Sequence, residues 1–278
     1  MRRTNNQHWA CSVLAVVIVS IMTGEVRGQM RGNNGSDFAI GKVMQLWFWE
    51  EHFPSLTISE NPTWEAQIFS KDPLVIYIHN FLSAYEIEHV LQVSEGNYIP
   101  SMVYPGDDAY VDTAERVSIS AYVPRDDVVR RIEQRARAFQ GWRGNSTRLE
   151  RLKTQKYAVN GFYNFHYDWD NLVTDGNRVT SFMIYLNANC TGGGTNFPKL
   201  KPPKDTRWCS VIDCEDNEYE GVTFKPIKGS AVFWENMYPN GTFHRGVRHA
   251  SLPVKTGEKI GLNIFGWDFD WRPSQSSA

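Results

Sequence analysis

The stretch YNFHYDWD, residues 163–170, places His166 and Asp168 two positions apart inside a run of aromatic residues. On a β-strand, side chains two apart point to the same face, so one imidazole and one carboxylate converge there. A second histidine from a distant strand would complete a set of two histidines and one carboxylate, which holds Fe(II) while leaving coordination positions open. The sequence offers His244 and His249 for that place. His8, His52, His79 and His89 lie in the leader regions or the helical front half and read as structural or surface residues. An isolated His-x-Asp is common, so the spacing alone leaves the choice open.

Outward from this stretch, residues from Tyr157 onward consist of short aromatic and β-branched runs broken by Gly, Pro and Asn. That texture predicts strands at 156–165, 179–187, 195–197, 222–224, 230–234, 249–254 and 259–265. Pro226–Gly229 and Lys255–Gly257 read as hairpin turns. The second turn would set His249 and Lys259 on partner strands facing one cavity. A lysine buried there is costly unless it meets an anion. The polar stretch 199–220 reads as an excursion between strands.

Toward the N-terminus the texture is helical. Leu74–Leu82 (LVIYIHNFL) reads as a strand, and regular structure is expected to begin at Leu74. Ser83 and Glu86 then form a capping box ahead of Ile87, Val90 and Leu91 at helical spacing. A second helix, with Val128, Val129, Ile132, Ala136 and Phe139 on one face, begins after Pro124 with Asp126 and Asp127 in its first turn. Its arginine-rich outer face reads as solvated. Helices in front and about seven strands behind predict a mostly β chain with supporting helices (α+β), a barrel or two-sheet jelly roll.

The 278 residues carry 29 Lys and Arg against 31 Asp and Glu, so no basic surplus exists to neutralise a nucleic-acid backbone. Arg2 and Arg3, the apolar run 10–22 and the small residues Thr23, Gly24 and Gly28 have the layout of a secretory signal, residues 1–28, with an uncleaved anchor as the alternative. Residues 29–70 read as a linker that packs on the domain. Asn-x-Ser/Thr triplets at Asn34, Asn145, Asn189 and Asn240 agree with passage through the endoplasmic reticulum lumen or secretion as a glycoprotein, with Asn145 the first candidate carrier. Without Cys11 in the leader, Cys190, Cys209 and Cys214 allow one internal disulfide, and the pair closest in sequence, Cys209 and Cys214, is the first expectation.

Several ordered blocks together resemble the prolyl 4-hydroxylase family of Fe(II)- and 2-oxoglutarate-dependent dioxygenases, in its short plant, algal and fungal form. They are KYAVNGFYNFHYDWD (156–170), FMIYLNANCTGGGTNFP (182–198), KPIKGSAVFWENM (225–237) and RHASLPVKTGEKIGLNIF (248–265). IHNFLSAYEIEHVL (78–91) and ERVSISAYV (115–123) join more weakly, so the resemblance spans about residues 71–272. It implies a double-stranded β-helix with iron on His166, Asp168 and His249, His244 being left out. It places Lys259 against the distal carboxylate of 2-oxoglutarate and makes Tyr157, Tyr185 and Thr195 further co-substrate contacts. Each tyrosine reads equally as a core aromatic with its hydroxyl satisfied.

The activity so implied is hydroxylation of peptidyl proline in proline-rich or collagen-like chains. It is coupled to O2-dependent decarboxylation of 2-oxoglutarate to succinate and CO2, with L-ascorbate sustaining the iron. The alternatives are a related dioxygenase acting on another residue or a small molecule, and a secreted β-barrel binding module without turnover. Relatives acting on lysine or nucleic acid usually carry arginine where Lys259 stands, which favours proline. Arg116-Val117-Ser118 in place of the usual Arg-Thr-Ser, and Phe265 in place of tryptophan, make the substrate less certain than the cofactor. Trp169, Asp170, Trp234, Glu235, Arg116 and Tyr122 are the candidate substrate-facing residues, the tryptophans reading alternatively as core or rim packing.

Overall fold

The computed structural model describes residues 62–272 apart from 104–108, 145–146, 171, 174, 216–217 and 239. The expected signal, Asn34 and Asn145 lie outside the described residues.

Fourteen strands and two α-helices make up the described fold. In chain order they are β1 (Glu65–Lys71), β2 (Leu74–His79), α1 (Ala84–Ser94), β3 (Ile99–Pro100), β4 (Arg116–Val117), β5 (Ile119–Tyr122) and α2 (Asp127–Phe139). There follow β6 (Thr147–Leu149), β7 (Lys153–Tyr157), β8 (Phe162–His166), β9 (Asn177–Gly192) and β10 (Thr195–Phe197). The last are β11 (Val222–Phe224), β12 (Ala231–Glu235), β13 (His249–Ser251) and β14 (Val254–Asp268). The larger sheet runs β1-β2-β12-β9-β14-β7-β5-β3 with β6 on β14, and the smaller runs β11-β10-β13-β8-β4. All the strand pairs are antiparallel, the two-sheet jelly-roll arrangement the strand pattern predicts.

The helices form where capping chemistry dictates. Ser83 Oγ accepts from the Glu86 N–H while Glu86 accepts from the Ser83 N–H, closing the capping box at the head of α1. Glu86 also takes a two-pronged ion pair from Arg135 of α2, at 2.7 and 3.0 Å, and is fully buried. The cap therefore doubles as the tie between the helices, and removing Arg135 would strand a buried carboxylate at a penalty of about 3–5 kcal/mol. Asp126 caps α2 by accepting from the Val129 N–H at 3.0 Å.

Both helices turn their apolar sides, Ile87 and Val90 on one and Val129, Ile132 and Ala136 on the other, onto one face of the larger sheet. There Ile78, Phe182, Ile184, Phe233, Leu262 and Ile264 form the main core. Strand alternation sends Tyr77, Tyr185, Val232 and Trp234 to the opposite face, where they meet Phe197 and Phe224 of the smaller sheet. The sheet thus has one structural face and one face for the site.

Four local expectations fail. Regular structure begins at Glu65, because β1 pairs with β2 from within the expected linker; its outer side is exposed, so its sequence lacks the alternation that marks a half-buried strand. The single strand expected over 156–165 is two strands joined by a tight turn at Ala158–Gly161, with Asn160 at a positive φ. Lys255–Gly257 is no hairpin turn: it lies inside β14 and pairs with Cys190–Thr191 of β9. The chain instead crosses from the smaller sheet to the larger at Leu252–Pro253, so β13 and β14 are not partners. Pro226–Gly229 likewise connects β11 and β12 of different sheets. The 199–220 excursion is closed by the Cys209–Cys214 disulfide, the expected pair, and Cys190 is free.

Candidate metal and co-substrate site

His166 ends β8, His249 opens β13, and the two are direct cross-strand partners with ring centroids 4.3 Å apart. Asp168 sits in the bend after β8, so the chain's turn, rather than strand alternation alone, brings it to the same side. Its two oxygens stand 3.7 Å from His166 Nε2 and 3.7 Å from His249 Nε2, too far for hydrogen bonds. All three donor atoms lie within 4.8 Å of one another, with no fourth Cys, His, Asp or Glu joining them among the described residues.

Hydrogen bonding fixes the tautomers. His166 Nδ1 lies 2.7 Å from the Asn164 carbonyl and His249 Nδ1 lies 3.0 Å from the Val247 carbonyl. A carbonyl only accepts, so each Nδ1 carries the proton and each neutral ring presents a lone pair at Nε2. Burial, reinforced by His249 and opposed by Asp168, draws the His166 imidazolium down to about 3, keeping the ring neutral. Burial works against the Asp168 carboxylate, yet His249, His166, Arg178 and the Ser181 hydrogen bond together hold its pKa below the usual range. Two imidazoles that turn Nε2 to one point and one carboxylate beside them are a donor set that fits Fe(II).

Residues that spacing did not reveal hold this set in place. Ser181 donates to Asp168 at 2.6 Å and accepts from Asn236 Nδ2 at 2.9 Å. Tyr163 stacks on His166 at 3.6 Å between centroids, and the Arg116 guanidinium lies over the Tyr163 ring at 4.5 Å. Burial pushes the Tyr163 hydroxyl up to about 12, so the ring acts as an uncharged wall. Ser181, a hydroxyl inside the apolar run VTSFMIYL, and Asn236, at the end of the AVFWE strand, were the available signals.

Lys259 lies on β14, with Tyr157 opposite on β7, and is fully buried. Its ammonium donates to the Gly193 carbonyl at 2.7 Å and to Ser251 Oγ, and lies 4.4 Å over the Tyr157 ring. None of these carries a negative charge, and burial draws the amine down to about 7. Gly192 and Gly193, both at positive φ, form the turn that aims this carbonyl; a Cβ on Gly192 would meet Pro253 O at 2.5 Å. Thr195 faces Ser251 across β10 and β13, and its hydroxyl accepts from Tyr185 at 2.8 Å. Tyr157 donates to Gln155 at 2.8 Å. The two sheets thus bring Tyr157, Tyr185, Thr195 and Lys259 into one buried polar nest.

Other expected residues are placed elsewhere. His244 is buried but engaged, its Nε2 2.7 Å from Asp72 and its Nδ1 accepting from the Gly246 N–H, outside the metal set. Trp169 stacks on Phe243 and Tyr167 in a small satellite core. Trp234 is buried against the His249 ring at 4.6 Å, a packing residue and not a rim. Glu235 is held by Arg143 and Trp142, and Asp170 closes a local turn with Leu172 and Asn177. Of the expected substrate-facing set, Tyr122 is exposed, and Arg116 is buried behind Tyr163 with one guanidinium nitrogen unpartnered.

Residues 152–267 match the family model of the 2OG-Fe(II) oxygenase superfamily. The chain is 30% identical over 217 residues to probable prolyl 4-hydroxylase 6 of Arabidopsis thaliana, covering 74% of this chain and 72% of that protein. It is 29% identical over 198 residues to rat prolyl 4-hydroxylase subunit alpha-1, covering 67% of this chain and 33% of the subunit. It covers 64% of probable prolyl 4-hydroxylase 7 of Arabidopsis thaliana, at 30% identity. The chain therefore spans between one third and two thirds of the length of these last two relatives. Among solved structures, the viral collagen prolyl hydroxylase of Paramecium bursaria Chlorella virus-1 in complex with 2OG superimposes with a TM-score of 0.53. It is 24% identical, with 70% of this chain and 96% of that one covered, and this likeness bears on the fold.

Proposed function

Because this chain belongs to the prolyl 4-hydroxylase family, we propose that it hydroxylates peptidyl proline at ring carbon 4 while 2-oxoglutarate is oxidatively decarboxylated to succinate and CO2. One observation carries the reading: a His166-Asp168-His249 set beside a buried Lys259 whose hydrogen-bond partners among the described residues carry no negative charge. A carboxylate seated at Lys259 would relieve that burden.

On this reading His166 Nε2, His249 Nε2 and Asp168 hold Fe(II), which supplies the oxidising chemistry when bound with 2-oxoglutarate and O2. The backbone carbonyls of Asn164 and Val247 keep both imidazoles in the tautomer that ligation needs. Ser181 and Asn236 orient the carboxylate. Lys259, Thr195 and Tyr185 receive the distal carboxylate of 2-oxoglutarate, with Tyr157 packed under the ammonium. Trp234 and Tyr163 wall the site with aromatic surface and exclude water. The same reading extends to L-ascorbate as the reductant that sustains iron, and to proline-rich or collagen-like substrates, whose polyproline II shape loses little entropy on docking. It also takes residues 1–28 as a secretory signal, 71–272 as the catalytic domain, and the endoplasmic reticulum lumen or the exterior as its location, supported by the leader pattern and the Asn-x-Ser/Thr triplets.

The test is a panel of proline-rich, collagen-like and lysyl peptides incubated with Fe(II), ascorbate and 2-oxoglutarate, with succinate and added oxygen measured together. Oxidation of a Pro-Pro or Pro-Gly peptide is expected. Oxidation of lysyl peptides or of small molecules alone would keep the dioxygenase and replace its substrate.

A further inference from the structure

The face of the larger sheet that carries Lys259 extends beyond the nest to the sheet's outer edge. Along β7, alternation puts Tyr157, Gln155 and Lys153 on that face. Cross-strand partners carry the strip outward: Ser120 stands opposite Gln155, Tyr122 opposite Lys153, and Ile99 of the edge strand β3 opposite Ser120. Over this strip lies a groove of about 300 Å³, lined by Ile99, Met102, Ser120, Tyr122, Arg151 and Lys153 among others.

Three observations mark this groove as more than solvated surface. Tyr122 and Ile99, 48% and 56% exposed, stand on the same face at the sheet edge and give the groove an apolar floor. The Arg151 guanidinium and the Lys153 ammonium both lie 5.1 Å over the Tyr122 ring, so the aromatic face is bracketed by two cations. Among the described residues, none of those lining the groove is acidic. Burial, with Arg116 and Arg178 and against Glu150, draws the Lys153 ammonium down to about 8, and Arg116 lies on Tyr163, the ring stacked on His166.

We propose that this groove receives the flank of the peptide substrate and selects an acidic side chain there, its carboxylate meeting Arg151 and Lys153 while its backbone and neighbouring proline pack on Tyr122. This rests on the reading of the site as a peptidyl-proline hydroxylase. The four-residue separation of Lys153 from Tyr157 on β7 corresponds to ~13 Å. An extended polyproline II chain covers that in about four to six residues once the offset to the iron is included. The acidic residue is therefore placed about four to six positions from the hydroxylated proline. Substrates without it still bind through the proline site, and with it bind more tightly.

The experiment compares kcat/KM on matched proline peptides bearing Glu, Gln or Lys at positions four to six on either side of the target, for wild type, Arg151→Gln and Arg151→Glu. A partly exposed ion pair predicts an advantage of about fivefold for Glu over Gln, and a disadvantage of similar size for Lys, carried by KM. Arg151→Gln should shrink the Glu preference, and Arg151→Glu should reverse it so that the Lys peptide becomes the better substrate. That reversal cannot arise from damaged folding. Hydroxylation of all three peptides at equal kcat/KM by every variant would overturn the groove and leave the prolyl reading intact. Hydroxylation of none of them, with succinate released from some other substrate, would overturn both.

Discussion

Replacing Lys259 by Met leaves the buried volume nearly filled and removes only the amine, which isolates the charge that the site is built around. In the folded protein the ammonium has neutral oxygens and an aromatic face as partners. A carboxylate arriving there gains a charge-assisted hydrogen bond worth about 1.5–3 kcal/mol, so the 2-oxoglutarate requirement of Lys259→Met should rise about 10- to 150-fold. The pH dependence follows from the amine's folded value of about 7 against an ordinary 10.5. Above pH 7 the free site must first take up a proton, so wild-type affinity for 2-oxoglutarate should fall by about tenfold per unit, while the variant stays flat.

The same group links to stability. The unfolded lysine holds its proton up to about 10.5 and the folded one only to about 7, so the unfolded state binds more protons between these values and stability rises with pH across that window. Lys259→Met lacks this rise, so the melting difference between the two proteins must change in that direction from pH 7 to 10. The assays are 2-oxoglutarate KM by succinate release at saturating iron, anaerobic Fe(II) titration as the contrast, and thermal melts across pH. An unchanged 2-oxoglutarate requirement with a weakened iron affinity would refute the assignment of Lys259.

The remaining predictions concern the metal set and the route of the chain. Ala at His166, Asp168 or His249 should each abolish turnover, because two donors do not hold the ion in a defined geometry; His244→Ala should keep activity and lose about 1–2 kcal/mol of stability through its Asp72 and Gly246 contacts. Reversed results for the two histidine variants would move the distal ligand. Ser181→Ala should weaken metal binding by about 10- to 100-fold in an equilibrium titration while the fold survives, since it removes the support of Asp168 together with the Asn236 hydrogen bond. Expression in a secretory host should give loss of residues up to about Gly24–Gly28 and glycosidase-sensitive mobility, with Asn240, exposed in its turn, a carrier alongside Asn145. An unprocessed, unglycosylated product would place the protein outside that route.

The histidine and aspartate set was legible because two ligands fall within three residues, and the third sits in a block with a recognisable order. Both helices were legible too, because Ser83, Glu86 and Asp126 announce their starts and the apolar spacing marks their buried faces. What failed was connectivity. A Thr-Gly pair reads as a turn, but Gly257 at positive φ is accommodated inside β14 beside a bulge, while the true crossover at Leu252–Pro253 is marked by a single proline inside a run otherwise read as one strand. Strand β1 escaped notice because an edge strand with an exposed side shows no alternation. The Ser181–Asn236 support was invisible for a related reason: its members lie 55 positions apart and meet only across β9 and β12. Of the tryptophans near the ligands, which read either as substrate-facing or as packing, Trp234 is buried in a core and Trp169 packs partly buried against Phe243.

If the His166-Asp168-His249 set and Lys259 together drive proline oxidation, hydroxyproline and succinate must form in a fixed ratio. A proline-repeat peptide is incubated with wild type under Fe(II), O2, ascorbate and 2-oxoglutarate, and 4-hydroxyproline and succinate are quantified in the same sample, with Asp168→Ala as the control. Equal amounts of the two products from wild type, and neither from the variant, is the predicted result. Succinate without hydroxyproline on every proline peptide, or hydroxyproline that persists in Asp168→Ala, would contradict the account.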